Sequence, residues 1–190
     1  MRLIGVLFLN MLFETEKLII REWQKVDLAA LHDMLSCDIV CRFLNNPPQK
    51  NATDSKGFVK INNKQFNKSM RKNGFCDEGC FAVVEKESAT VVGNIEMVKP
   101  YANDRVVELG YFFNRQFWGK GYASQTVAGL LEYIKLHNLA SRVQIVIDVE
   151  NVASCALAKK LGFEKEGVLR RFDNNNMGTE RDHIMYSVLV

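Results

Sequence analysis

The sequence lacks an excess of either charge: 25 basic residues stand against 22 acidic ones, a formal net charge of +3 over 190 residues. So mild a surplus favours an anionic ligand at most and gives no electrostatic footprint for nucleic acid. A membrane-length apolar run is also missing. The apolar stretch that opens the chain, from Met1 to Phe13, is followed at once by Glu14-Thr15-Glu16-Lys17. It is shorter than the roughly 18 residues a span needs, and no small-residue cleavage site follows it as in a secretory signal. Residues 1–13 therefore read as a short extension or an added edge strand, with Met11 an equally good start. Repeats, low-complexity segments and linkers are absent, and 47% hydrophobic with 25% charged residues is the balance of one globular unit. Cysteine is present in an odd number, Cys37, Cys41, Cys76, Cys80 and Cys155, which reads as reduced thiols in a cytoplasmic protein. The two C-x-x-x-C spacings have no adjacent histidine, so no metal is expected.

What is present alternates between strand and helix signals. Lys17 to Trp23 is a β-branched alternating run, and Asp27 then caps a helix with Leu28, Leu31, Met34 and Leu35 on one face. A second helix, about Asp54 to Lys72, places Phe58, Ile61, Phe66 and Met70 at helical spacing. Phe81–Glu85 and Val91–Met97 predict a hairpin, with Arg105–Phe113 as the next strand. A helix from Gly121 to Leu136, a buried-type strand Arg142–Val149, a short helix Ser154–Leu161 and strands near Val168–Phe172 and Ile184–Val190 complete the order. That order makes a mixed α/β sheet and not a run of βαβ repeats.

Between the strand ending at Phe113 and the next helix lies Gln116-x-x-Gly119-x-Gly121. Two glycines let the backbone approach a ligand closely, and the helix that follows points its positive end at the same place, the arrangement of an anion cradle. The same residues also suit a plain strand-to-helix turn. A Walker loop is excluded because Asn114 and Gly121 stand where a glycine and a Ser or Thr are needed. A dinucleotide fingerprint is excluded by Ser124 and by an acidic residue, Asp148, that comes later than the expected distance of about 20 residues.

Gln116-x-x-Gly119-x-Gly121-Tyr122-Ala123 resembles the acetyl-CoA loop of the GNAT superfamily, and Trp118-Gly119-Lys120-Gly121-Tyr122-Ala123 its form in the branch holding ribosomal-protein N-terminal acetyltransferases and spermidine acetyltransferases. Asn151-x-x-Ser154 followed by Lys160-Leu161-Gly162-Phe163 matches a second family motif, and the stretches Thr15–Trp23 and Arg181–Ser187 are similar to that branch too. The resemblance covers residues 14–190 as one acetyltransferase domain. It implies a mostly antiparallel sheet with a V-shaped split between Arg105–Phe113 and Arg142–Val149, and helices on both faces. It implies acetyl-CoA, with coenzyme A as product, held by Phe113, Gln116, Trp118, Gly119, Lys120, Gly121, Tyr122, Ala123 and Asn151. The plainer reading of Asn151 is a turn or helix cap. The acceptor is a primary amine, either a small molecule or a protein N-terminus, attacked directly and without an acyl-enzyme; no membrane partner is expected and a homodimer is left open. The alternative is a non-catalytic acyl-CoA-binding or regulatory module on the same fold.

An acceptor amine must lose a proton and the thiolate must gain one. Glu108, Ser154 and Asp173 are the catalytic candidates, with His183 read as structural. Each has a plainer reading: Glu108 an outward charge on a strand, Asp173 a turn residue, Ser154 a helix cap. Many family members carry a tyrosine acid where this chain has Ala158, which turns attention to Ser154.

Overall fold

The structure, a computed structural model, describes residues 11–44, 47–174 and 178–190. The extension before Met11 and Asn175-Asn176 of the expected turn lie outside them. The strands are β1 (Met11–Glu14), β2 (Leu18–Arg21), β3 (Gly79–Glu85), β4 (Val91–Val98), β5 (Val106–Phe113), β6 (Arg142–Asp148), β7 (Glu164–Asn174) and β8 (Glu180–Leu189). The helices are α1 (Leu28–Leu35), α2 (Asp38–Cys41), α3 (Ala52–Asn73), α4 (Tyr122–Leu136) and α5 (Val152–Lys160).

The strands form one eight-stranded sheet in the order β1-β2-β3-β4-β5-β6-β8-β7. Only β5 and β6 are parallel neighbours, joined through α4; the other pairs are antiparallel. Their ladder is short: Val106, Val107 and Glu108 pair with Arg142, Val143 and Gln144. Beyond Glu108, β5 stays with β4 as far as Phe113 and β6 stays with β8 as far as Asp148, so the sheet opens into a V at this point. The mixed sheet and its split match the expected fold class.

Alternation along β3 sends Phe81 and Val83 to one face and Ala82 and Val84 to the other, as its near-complete burial requires. The first face is covered by α4, with Val127, Leu130 and Ile134 inward, and by Cys155 and Ala158 of α5. The second face is covered by Leu31 and Met34 of α1 and Val59 of α3 around Trp23. Strand β1 packs on α4 at Gly129, where an added Cβ would lie 2.6 Å from the Phe13 ring.

Several local readings are corrected. Ile61 is 67% exposed and Val59 fills its expected place in the core, because the pair is two residues apart and lies on opposite sides of a helix. Asp27 stands at the N-cap of α1, as expected, but its side chain makes no capping bond there; it makes a buried two-pronged pair with Arg21 (2.7 and 2.9 Å) and accepts from the Gln24 N–H. The short helix begins at Val152 with Asn151 as its cap, so Ser154 lies inside its first turn. Strand β7 runs on through Asp173 to Asn174, which places Asp173 in the strand and not after it.

Candidate functional site

The cradle loop starts at Asn114, whose side chain caps a single 3-10 turn over Arg115–Phe117 by accepting from the Gln116 N–H (3.1 Å). The Trp118 indole N–H then turns back to the Phe113 carbonyl (2.8 Å). Gly119 and Gly121 both have φ near +77°, at 77° and 78°, and no atom lies within 4 Å of a Cβ built on either. A side chain there would be strained and would project into open space, which is the space a ligand backbone-bound at this loop would use. Gly121 is the cap of α4, and no acidic residue stands in the first turn of that helix. No side chain caps the first N–H groups of that helix.

Across the V, the first turn of α5 faces this loop. Between them is a cavity of about 690 Å³ whose walls include Phe113, Trp118, Gly119, Gly121, Tyr122 and Ala123 on one side and Asn151, Ser154 and Lys160 on the other. The structure thus brings together most residues expected at the cofactor. Two stand apart: Gln116 is exposed outside this wall, and the Lys120 ammonium lies 4.9 Å from the Phe117 ring centroid. Lys160, not Lys120, is the lysine in the wall. Tyr122 also donates its hydroxyl to Glu85, which ties the helix start to β3. Asn151 accepts from the Ser154 N–H (3.2 Å), so its side-chain oxygen is engaged in the cap while its amide N–H groups remain for another partner.

A second cavity, about 430 Å³, opens on the other face of the sheet. Phe43, Leu44, Tyr111, Phe112, Asn151 and Ser154 border both cavities, so they meet at the V. Segment 42–44 is held over the junction by the Arg42–Glu150 ion pair (3.1 Å) and by Arg181, which bonds the Arg42 carbonyl while pairing with buried Asp148 (2.5 Å).

Glu108 lines the second cavity and is the last β5 residue paired with β6; its carboxylate accepts from Gln144 Nε2 at 2.7 Å. Sequence reasoning missed its neighbour, Glu96 of β4, which faces the same cavity. Glu96 sits opposite Gly110, whose missing side chain leaves room for the carboxylate: a Cβ there would meet Glu96 Oε2 at 3.1 Å. Burial pushes the Glu96 carboxyl up, the Cys80 thiol opposes this by donating to it, and the charge of Glu108 adds to the rise. The alternation in Val91–Val98 was the available signal, since it places a lone glutamate on the face of buried Asn94. The structure does not bring Asp173 to either cavity; it accepts from its own neighbour Asn174 (2.7 Å) beside the bulge at Leu169–Asp173. His183 borders the second cavity, buried against the Phe172 ring. Cys41 and Cys76 are pushed up to about 11, mainly by burial, which leaves both thiols protonated at neutral pH.

This arrangement has counterparts of similar sequence and fold among known proteins. Over 175 residues the chain is 27% identical to an uncharacterized N-acetyltransferase, p20, of Bacillus licheniformis, covering 92% of this chain and 94% of that one. The solved acetyltransferase that modifies the N-terminal serine of ribosomal protein L7/L12 in Salmonella typhimurium superposes with a TM-score of 0.79 at 18% identity, over 95% of this chain and 99% of that one. The spermidine N-acetyltransferase of Vibrio cholerae, in complex with coenzyme A and spermine, superposes with a TM-score of 0.73 at 20% identity, over 92% of this chain and 96% of that one. Residues 17–164 match the model of the acetyltransferase (GNAT) domain, and the chain belongs to that family of N-acetyltransferases.

Proposed function

We propose that this protein transfers the acetyl group of acetyl-CoA to a primary amine by direct attack. The observation that carries the reading is the cradle: two positive-φ glycines with open space over them, running into an α4 start free of acidic residues. Those N–H groups would hold a pyrophosphate, and the V beyond them, bordered by Tyr111 and Ser154, would take the pantetheine arm. Phe113, Trp118, Gly119, Gly121, Tyr122, Ala123 and Asn151 would hold acetyl-CoA, whose thioester supplies the activated acetyl group. Lys160 adds positive charge from the far wall.

Glu108, oriented by Gln144, receives the amine proton directly or through water, and Glu96 beside it gives the second cavity another acidic group to face an amine. Among the described residues, no lysine or arginine lines that cavity. A small-molecule amine and a protein N-terminus both satisfy these conditions.

Incubation with acetyl-CoA and one representative each of polyamine, amino-terminal peptide, amino acid and aminoglycoside, read by mass spectrometry, tests the reading. Acetylation of at least one amine is expected, together with loss of turnover in Gly121→Glu, which puts bulk and negative charge in the cradle. Coenzyme A binding with no amine acetylated across the panel would instead support the non-catalytic acyl-CoA-binding module.

A further inference from the structure

Tyr111 lies three residues past Glu108, where β5 has already parted from β6, and it borders both cavities. Its hydroxyl oxygen is buried without an aligned hydrogen bond, close beside the Ser154 side chain. The contact with Ser154 sets a phenol O–H directly behind the serine at the junction of the two cavities. Ser154 itself is not used as the helix cap: Asn151 fills that role and fixes the Ser154 backbone, leaving the serine hydroxyl to turn between the cavity and the phenol.

We infer that Tyr111 is the proton-supplying residue behind Ser154, delivering through the serine hydroxyl the proton that the departing thiolate takes. The inference rests on the acetyltransferase reading above. A serine hydroxyl alone is a poor acid, since giving up its proton leaves an alkoxide. Backed by a phenol it need never do so. As the amine nitrogen bonds to the carbonyl carbon, the carbon–sulfur bond breaks and its electron pair goes to sulfur. Ser154 gives its proton to that sulfur while taking the Tyr111 proton, and the amine's surplus proton leaves on the Glu108 side. Tyrosinate regains a proton from water when product departs, so amine and thioester become amide and thiol with no other reactant. Burial, the main influence on the phenol, raises its pKa and keeps it protonated until that moment, while the hydrogen-bonding contact with Ser154 acts the other way and Cys155 of α5 adds to the rise.

The test is Tyr111→Phe, which keeps the ring, beside Ser154→Ala and the double variant. Tyr111→Phe keeps the packing of the ring and is expected to stay folded and to keep the coenzyme A affinity. Its single-turnover rate should fall about 100-fold, the loss typical of a missing general acid, and the double variant should be no slower than Ser154→Ala. A wild-type rate in Tyr111→Phe overturns the relay while leaving acetyl transfer intact, as do losses that multiply in the double variant. A wild-type protein that acetylates no amine removes the acetyltransferase reading and the relay with it.

Discussion

Glu96 shows how a single side chain acquires a property that its position in a strand does not announce. Its neighbours are the Cys80 thiol across β3, Gly110 and Glu108 on β5, and Gln144 beyond them, and no cation is among them. The raised pKa means that the folded state holds this proton more tightly than the unfolded chain. Stability from the protonated carboxyl is therefore present at acid pH and lost as pH rises from the ordinary carboxylate range, about 4.3, through the higher folded value. Glu96→Gln should accordingly melt above wild type at pH 8, with the difference closing as pH falls below 4. A constant difference at all pH values would show that the carboxylate pays no burial penalty. The same variant should weaken binding of a cationic acceptor while sparing coenzyme A.

At the scale of elements, the start of α5 carries two duties in one residue. The side-chain oxygen of Asn151 caps the helix, and its amide N–H groups are free to meet a pantetheine carbonyl. Asn151→Asp retains a good capping oxygen and loses the donor, so its melting temperature should stay near wild type while the KM for acetyl-CoA rises. Asn151→Ala loses both; a lost cap costs about 1 kcal/mol, or roughly 2–4 °C in a chain of this size. Equal KM values in wild type and Asn151→Asp, with melting affected only in Asn151→Ala, would leave Asn151 as a cap alone. The helix boundaries explain why sequence reasoning started α5 at Ser154: serine and asparagine are both strong capping residues, and only the backbone shows which one stands outside the helix.

For the whole molecule, the two halves of the sheet meet through a parallel ladder of three residue pairs, and the V above it exposes strand edges of both halves. A ligand lying in the V and reaching the cradle contacts both halves, so coenzyme A should stabilise the fold by about 2.7 kcal/mol at a hundredfold excess over its Kd. Amide exchange should slow in segments 109–113 and 145–148 together with the loop 116–123. Protection confined to the loop would place the ligand outside the V. The sequence by itself determined the element order, the cradle with its two glycines and the family, because local periodicity and close-spaced motifs are properties of neighbouring residues. It left open which of Glu108 and Asp173 borders a cavity at the V and missed Glu96 and Tyr111. Those placements depend on strand register across β3, β4, β5 and β6 and on the bulge before Asp173, contacts between residues far apart in the chain that only the folded sheet creates.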